Sequence, residues 1–201
     1  MTVEVDPKKA EAHTPKVEFK KKWNLVPTND PLLSTKLENF DFKNPPVDPV
    51  QLVEDMLGHM RHFGGIGLSA NQLGLPYRVF VTEGDPGFAC FNPRITAFAG
   101  DEVLMDEGCL SYPGLYIKKK RPQMIRVRFF DPYGNPVVKR FSGMTSRIFQ
   151  HEMEHMEGES YLDGVNNLVL QRAKRKQEEG EDDGYTNKRT TTKRSQYANN
   201  I

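Results

Sequence analysis

The chain has 201 residues, of which 27% are charged, with a formal net charge of +1 and two cysteines. That length is enough for one domain with its own hydrophobic core. A charge balance so close to zero implies no broad electrostatic attraction to nucleic acid or to a membrane surface. No apolar run approaches the roughly 20 residues of a membrane span, and we expect no secretory signal.

The beginning of the chain predicts a disordered extension and then a helix. Residues 1–22 are rich in lysine and poor in apolar residues, so they offer too little surface to bury and form a stable fold. Asp48 is a suitable N-cap, with Pro49 at the first helical position. Apolar residues then recur at helical spacing until Gly64, which ends the predicted helix.

The rest of the chain predicts strands followed by two helices. Apolar or alternating runs favour strands over residues 78–82, 88–92, 102–105, 125–129 and 137–141. Helices are predicted over residues 145–157 and 166–177, and the charged residues 178–201 are expected to be flexible. The predicted fold class is α+β, with antiparallel or mixed sheets around the helix of residues 145–157. The domain covers residues 23–177.

That helix carries His151, Glu152 and His155 in the arrangement H-E-x-x-H. Four residues advance a helix by about 400°, so the two imidazoles emerge roughly 40° apart, one turn above the other. Both can reach one divalent metal, while Glu152 can reach a water bound to it. The pattern is typical of hydrolysis by a metal-activated water. An exposed charged helix that meets only solvent is the alternative.

A catalytic site of this kind needs a third protein ligand and an open position for water. Tyr161 stands where one zinc-protease layout has a histidine, and Glu178 or Glu179 lie at the distance of another layout. Neither fits well, because tyrosine is a poor ligand and the glutamates lie in a charge-dense segment. Upstream, Cys109 offers a thiolate for zinc or ferrous iron. Taken alone, it is more often a small buried apolar residue.

Two glycine-containing stretches complete the candidate site. Gly108 precedes Cys109 and lets the backbone approach closely, because it has no Cβ. Residues 64–72 are too glycine-rich for a helix and lack the lysine of a phosphate-binding loop. This segment suits an extended backbone along which a substrate lies, and the amide of Gln72 can stabilise an oxyanion. A plain surface loop is the alternative.

Three stretches, in this order, resemble the motifs of the peptide deformylase family. The family carries G-φ-G-φ-A-A-x-Q, E-G-C-L-S and H-E-φ-D-H, and the chain matches them with residues 65–72, 107–111 and 151–155. The similarity runs from about residue 23 to residue 176. Ser69 stands where the family usually has alanine, and Glu154 replaces an aspartate. Tyr116 lies near the position of an arginine that contacts the substrate backbone in many bacterial members.

The resemblance implies a peptide-deformylase-like fold and a metal-dependent hydrolase. Its reaction removes the N-formyl group from the N-terminal methionine of newly synthesised polypeptides and releases formate. One divalent ion is implied, ferrous iron in the cell, with zinc, nickel or cobalt as substitutes. Its ligands are Cys109, His151 and His155. Glu152 is then general base and general acid, while the metal, Gln72 and the backbone N–H of Leu110 stabilise the oxyanion.

We expect the substrate peptide to be recognised mainly by backbone groups of this chain. The chain around Ile66, Gly67 and Gly114 can pair with an extended peptide as an added strand. Ile148 lies one turn before His151, and it either lines a pocket for the methionine side chain or belongs to the core. The residues expected at the substrate are Ile66, Gly67, Gly108, Gly114 and Ile148.

The expected partners are N-formylmethionyl nascent peptides and, transiently, the ribosome. We expect a monomer, without a membrane or a specific nucleic acid. Two cysteines, one needed as a thiolate, favour a reducing compartment. That compartment is the cytoplasm, or an organelle matrix or host-cell cytoplasm according to the source. Cys90, in the apolar run of residues 88–91, is predicted as a buried strand residue. A disulfide between Cys90 and Cys109 is the alternative, and it would abolish the site.

Other functions remain open from the sequence alone. An endopeptidase of the zincin type is disfavoured by Tyr161 and by the better placed Cys109. A binding module with a closed structural metal site would need a fourth protein ligand, and no further Cys or His lies near the three motifs. A non-catalytic member of the family is disfavoured by the intact Gln72 and Glu152.

Overall fold

The computed structural model describes residues 23–83 and 87–179, and they form an α+β fold. Its strands are β1 (Gly67–Ser69), β2 (Val79–Thr82), β3 (Phe88–Cys109), β4 (Tyr112–Phe130) and β5 (Pro136–Ser142). Its α-helices are α1 (Pro49–His62), α2 (Gly143–Glu157) and α3 (Asn167–Glu179). Short 3₁₀ helices cover Pro31–Ser34 and Ala70–Leu73. The expected N-terminal extension, residues 1–22, lies outside the described residues.

The strands form one five-stranded sheet in the order of the sequence, β1-β2-β3-β4-β5, and every ladder is antiparallel. The expectation of antiparallel or mixed sheets is therefore met by a single antiparallel sheet in the described part. The one parallel pairing there is an isolated bridge between Glu38 and Tyr77. Short connections explain this order, because antiparallel neighbours can be joined by tight turns.

Strand β3 corrects the prediction of two separate strands over residues 88–92 and 102–105. The chain continues through Pro93 and Gly100, because the register with β4 shifts on either side of these residues. Asn92 has a positive φ of 50° and Gly100 one of 74°, so both adopt backbone angles unusual for a regular strand. The bulges absorb the residues that break the sequence pattern, and one long hairpin results.

Helix α1 begins as predicted. The Asp48 carboxylate accepts hydrogen bonds from the backbone N–H groups of Val50, at 2.9 Å, and Gln51, at 3.3 Å. Its buried apolar side is one wall of a core that includes residues of β1 and β2; the helix contributes Leu52, Met56 and Met60. The helix ends at His62, just before Gly64.

Helix α2 contacts all five strands. Phe149 and Met156 are buried with Ile125 and Val127 of β4 in a second core. The ring of Phe149 meets that of Phe80 edge-on at 5.0 Å between centroids. The predicted bounds, residues 145–157, are short by two residues at the N-terminal end.

Helix α3 ends two residues beyond the predicted helix end at residue 177. Glu178 and Glu179 are its last two residues, rather than the start of a flexible tail. The helix has no buried residue, but Ala173 packs against a small cluster around Tyr161. Residues 180–201 lie outside the described part, and no helix of the described residues is long and apolar enough to cross a membrane.

The end of α2 generates a stability prediction. Gly158 caps the helix at φ +74°, and a Cβ there would lie 2.7 Å from the carbonyl carbon of Thr35 and 2.8 Å from the nitrogen of Lys36. Gly164 has almost the same φ, +75°, with nothing within 4 Å. We expect Gly164→Ala to cost about 1–2 kcal/mol for the left-handed backbone alone. Gly158→Ala should cost more, because backbone must also move.

The measurement is the free energy of unfolding by urea for both variants and the parent protein. The matched φ angles isolate the close approach of the chain at Gly158. Equal losses in the two variants would contradict the packing of Thr35 and Lys36 against the end of α2.

Candidate metal centre and substrate pocket

Three segments that are distant in sequence meet at one side of α2. Cys109 is the last residue of β3, at the tip of the hairpin whose two turn residues are Leu110 and Ser111. His151 and His155 lie one turn apart on α2, with ring centroids 5.4 Å apart. The ligand atoms of the three side chains all lie within 4.8 Å of one another. Sγ of Cys109 is 3.3 Å from Nε2 of His155.

This cluster fits a divalent metal. Both cysteines of the chain are free, so Cys109 is available as a thiolate. Two imidazoles and one thiolate are the donors that zinc, ferrous iron and similar ions accept, and three protein ligands leave a fourth position open. The cluster is the only group of three or more His, Cys, Asp or Glu residues with such spacing in the described part of the chain.

The two histidines stabilise Cys109 as a thiolate, the form in which cysteine binds metals. Burial raises the pKa of the Cys109 thiol, but the charge of His155 and hydrogen bonds to both histidines outweigh it and lower that pKa to about 5. Burial lowers the pKa of His151, but hydrogen bonds with Cys109 and Glu107 raise it to about 10. Without a metal, the thiolate and the imidazolium of His151 therefore form an ion pair at neutral pH.

Glu107 orients His151 from behind. Its Oε2 is 3.4 Å from Nδ1 of His151, so Nε2 is the nitrogen left to face the cluster. Two hydrogen bonds from Arg121, at 2.6 and 2.7 Å, and one from Arg147 hold the carboxylate. Burial raises the pKa of Glu107, but the hydrogen bonds from Arg121 and with His151 lower it to about 2.

Arg121 also binds Glu154, one of the residues that depart from the family motifs. Its guanidinium donates to both oxygens of Glu154, at 2.9 and 2.8 Å, and Lys119 donates to the same carboxylate at 2.8 Å. Glu154 therefore lies in the ion network of α2 and β4. Neither Arg121 nor Arg147 belongs to the three motifs from which the site was predicted. Only Arg147 left a signal, because it lies four residues before His151 on the same side of α2.

Glu152 is 3% exposed and lies at the pocket wall. Ser69 donates a hydrogen bond of 2.6 Å from Oγ to its Oε2. Burial raises the pKa of the Glu152 carboxyl, although the histidines of the cluster and Ser69 oppose this. Any Cβ on Gly67 would collide with Oε1 of Glu152. Glycine is thus required at position 67 by close approach to this carboxylate.

Gln72 is 1% exposed and faces the thiol. Its Nε2 donates to Oγ of Ser111 at 3.0 Å and to Sγ of Cys109 at 3.4 Å, while its Oε1 accepts from the backbone N–H of Ser69 at 2.9 Å. Residues 68–73 are buried, so the alternative of a plain surface loop is wrong for the half of the segment that carries Gln72. Residues Ala70–Leu73 also form a 3₁₀ turn, which the glycine content did not predict.

A pocket of about 610 Å³ opens beside the cluster. Every predicted site residue except His155 lines this pocket. The lining includes the five residues predicted to contact the substrate, Ile66, Gly67, Gly108, Gly114 and Ile148. Ile148 is half-buried at this wall. Gly108 lies against the ring of Tyr116, since a Cβ there would be 2.6 Å from Cε1 and would displace the ring. Tyr116 itself lines the pocket near the position expected for an arginine.

The alternative third ligand is excluded by its contacts. Tyr161 is 2% exposed, and its hydroxyl donates to the carbonyl oxygen of Leu115 at 2.8 Å. Its ring packs against that of His151 at 5.4 Å between centroids. Glu178 and Glu179 are exposed on α3. Cys109 is therefore the residue that completes the cluster.

The sequence matches the family model described as polypeptide deformylase over residues 23–171. The peptide deformylase of Rhodopirellula baltica is 39% identical over 121 residues, which cover 57% of this chain and 59% of that protein. Peptide deformylase 1B, chloroplastic/mitochondrial, of Arabidopsis thaliana is 36% identical over 160 residues, which cover 77% of this chain and 58% of that protein. The chain thus spans less than two thirds of the length of these two relatives.

The fold has solved counterparts. The crystal structure of a peptide deformylase from Synechococcus elongatus in complex with actinonin matches with a TM-score of 0.73 and 30% identity. The match covers 89% of this chain and 93% of that one. The fold is that of the peptide deformylases. The chain belongs to the polypeptide deformylase family.

The ion pair of Cys109 generates a prediction for the metal-free protein. Because the pKa of Cys109 is lowered to about 5, its thiolate should appear as the pH rises through about 5 and should be complete at pH 7. The ultraviolet absorbance of the thiolate measures this titration. Burial raises the pKa of Cys90, so Cys90 should not contribute in this range.

The matched control is Cys109→Ser, in which the absorbance step near pH 5 should vanish. A step near the ordinary thiol value, above pH 8, would show that the histidines do not stabilise the thiolate.

Proposed function

We propose that this chain is a metal-dependent hydrolase that removes the N-formyl group from the N-terminal methionine of newly synthesised polypeptides and releases formate. Deformylation of N-terminal formyl-methionine is the known activity of the family to which the chain belongs. One observation carries the proposal: the ligand atoms of Cys109, His151 and His155 lie within 4.8 Å of one another, beside a pocket lined by Cys109, His151, Glu152 and Gln72.

Cys109, His151 and His155 would hold the divalent ion. When bound, such an ion lowers the pKa of water and makes hydroxide available near neutral pH. One thiolate and two imidazoles suit ferrous iron, zinc, nickel or cobalt. We assign ferrous iron as the natural ion because of the family resemblance, with the other three as substitutes.

Glu152 would act as general base and then as general acid. The hydroxyl of Ser69 donates a hydrogen bond to Oε2 of Glu152, while Oε1 lies beside Gly67. Oε1 can therefore accept the proton of the attacking water and return it to the departing amine. Burial raises the pKa of this carboxyl, and a pKa closer to neutral suits a group that must both take and give a proton.

Gln72 and Leu110 would stabilise the oxyanion that forms on the formyl carbon. The amide of Gln72 has its oxygen turned to the N–H of Ser69, so its nitrogen faces the thiol of Cys109 and the hydroxyl of Ser111 at the edge of the pocket. An oxyanion that forms there would take the place of one of these two acceptors. The N–H of Leu110 follows directly after Cys109. One preorganised donor of this kind is worth about 3–4 kcal/mol of transition-state stabilisation.

The substrate peptide would lie along the glycine-rich wall. Backbone at Ile66, Gly67 and Gly114 lines the pocket and offers an edge to which an extended peptide can add. Gly108 gives the backbone room beside the metal ligand. Ile148 would contact the methionine side chain, because it is apolar and faces the same pocket.

We also propose that the catalytic domain begins near residue 23 and ends with α3, at residue 179. It would act as a monomer on nascent chains, in transient contact with the ribosome. The reaction would take place in the cytoplasm, an organelle matrix or a host-cell cytoplasm, where the Cys109 thiolate stays reduced.

The central prediction concerns Glu152→Gln. Formate release from a formyl-methionyl peptide should fall by about 10²- to 10⁴-fold, because proton transfer is lost, while metal content stays at the level of the parent protein. Cys109→Ser should instead lower the metal content itself. Formate assays and anaerobic metal analysis on the same samples make these measurements.

Glu159→Gln is the matched control, because Glu159 is exposed just beyond α2. It should leave both readouts unchanged. Full activity in Glu152→Gln, or cleavage of unblocked internal peptide bonds by the parent protein, would overturn the proposed function.

A further inference from the structure

The outer face of the sheet carries four exposed arginines without an ion-pair partner among the described residues. They are Arg94 on β3, Arg126 and Arg128 on β4, and Arg140 on β5, and we name them the arginine face. Other Lys and Arg residues of the described part form ion pairs with carboxylates, among them Lys36, Arg78, Lys118, Lys119, Arg121, Arg147 and Arg175. Other exposed cations of the described part, such as Lys43 and Arg172, also have no ion pair, so the arginine face differs from them by the strand register that sets its charges opposite one another.

Strand register places these like charges side by side. Arg126 lies opposite Arg140, and Arg94 lies opposite Arg128. Opposed residues on neighbouring strands have Cβ atoms about 4.5–5.5 Å apart, and like charges there destabilise the sheet. Residues two apart on one strand are separated by about 7 Å. The four guanidinium groups therefore form one patch whose repulsion an anion would relieve.

The patch lies on the side of the sheet away from α2. Ile125, Val127 and Phe129 alternate with the arginines of β4 and are buried in the core that α2 shares. Successive side chains of a strand point to opposite faces, so Arg126 and Arg128 point outward. A large ligand on the arginine face would leave the pocket open.

We propose that the arginine face binds the phosphate backbone of structured RNA without reading its sequence. Guanidinium groups match phosphate oxygens in planar, paired hydrogen bonds. Contacts to phosphates position a protein but carry no sequence information. The outward neighbours in the same rows, Ala97 and Val138, have no group that could hydrogen-bond to a base edge.

The choice of RNA has two grounds. A face of paired strands that carries arginines is unlike the amphipathic helix that inserts into a lipid interface. The choice of RNA over DNA rests on the proposed function, because a newly made polypeptide is produced beside RNA. The net charge of +1 does not oppose the proposal, since it is the sum over a chain whose charges are unevenly placed.

The test compares two double variants with equal charge change. Arg126→Gln with Arg140→Gln removes a directly opposed pair, and Arg172→Gln with Lys174→Gln removes two exposed cations of α3. Binding of the full chain to a fluorescein-labelled RNA duplex is measured by anisotropy at several salt concentrations. We expect the arginine pair to weaken binding about tenfold and to reduce the salt slope by about 2, or nearly 1 per phosphate contact. The α3 pair should change binding little.

Equal loss in both double variants would overturn the proposal, because the attraction would then follow net charge alone. Absence of RNA binding by the parent protein, or tighter binding to phosphatidylserine vesicles than to RNA, would also overturn it. Formate release should be unchanged in both double variants, so a failure here is distinct from a failure of the proposed function. The unfolding midpoint of the arginine pair should not fall, because a repulsive contact has been removed.

A second inference rests on Ser69, which is fully buried where β1 meets the 3₁₀ turn. Its Oγ donates to Oε2 of Glu152 at 2.6 Å, and its backbone N–H donates to Oε1 of Gln72 at 2.9 Å. A backbone N–H can only donate, so it selects the orientation of the Gln72 amide in which Nε2 faces Cys109. One residue therefore contacts both side chains to which a role in the reaction is given.

We infer that Ser69 is a positioning residue for Glu152 in the proposed reaction. Its hydroxyl holds one carboxylate oxygen and thereby fixes the other beside Gly67, at the pocket wall. Alanine, which the family usually has here, would leave this oxygen without that donor. The inference rests on the proposed function, because it concerns the geometry of the same step.

Ser69→Ala should lower kcat about 10- to 100-fold, as expected for a misplaced reacting group, with KM and metal content unchanged. A crystal structure of Ser69→Ala should show the Glu152 carboxylate in a rotated orientation, with Oε2 displaced from its position in the parent protein. Ser69→Thr, which keeps the hydroxyl, should recover most of the activity. Ser146→Ala is the matched control, because Ser146 is equally buried and its Oγ accepts a hydrogen bond of 3.0 Å from Gln150.

A kcat in Ser69→Ala equal to that of the parent protein would overturn this inference, as would an equal loss in Ser146→Ala. An inactive parent protein would instead refute the proposed function. The unchanged Glu152 orientation in the Ser69→Ala structure would count against the positioning role even if activity fell.

Discussion

The carboxylate of Glu107 is where the hairpin and α2 are fixed to one another. It receives hydrogen bonds from Arg121 of β4 and Arg147 of α2, and it lies 3.4 Å from Nδ1 of His151. Glu107 itself belongs to β3, two residues before Cys109. Three elements thus meet at one buried charge. The distance between the Cys109 sulfur and the histidines depends on this meeting point.

A buried ion network of this kind is better explained by geometry than by stability. Removing charges from water costs about as much free energy as their attraction returns, so an apolar replacement is often equally stable. The network does something that an apolar core cannot do. Arg121 binds Glu107 on β3 and Glu154 on α2, so it sets the hairpin in register with the helix. Glu154 stands where the family usually has aspartate, and its carboxylate pairs with both Arg121 and Lys119.

The sequence predicted most of the site but little of what holds it. Residues four apart on a helix lie on the same face, so the spacing alone predicts that His151 and His155 can bind one metal ion. Cys109 followed from the motif that surrounds it. Arg121 stands at the end of a lysine run that resembles a solvated surface, and only the twisted hairpin shows that it is buried. The hydrogen bond from Ser69 to Glu152 joins residues 83 apart, and no pattern of spacing reports such a contact.

The sequence alone also does not predict which charged residues are neighbours on the sheet. Alternation of apolar residues and arginines predicted that β4 is half exposed, and Arg126 and Arg128 are indeed on its outer face. The positions of Arg94 and Arg140 opposite them depend on strand register, and on the β3 side that register is set by bulges that the sequence pattern did not reveal. Inside the fold, arginines are paired with carboxylates at short distance; on the outer face they are paired with each other. A net charge of +1 hides both arrangements, because formal charge sums over the chain while electrostatic energy depends on which charges are neighbours.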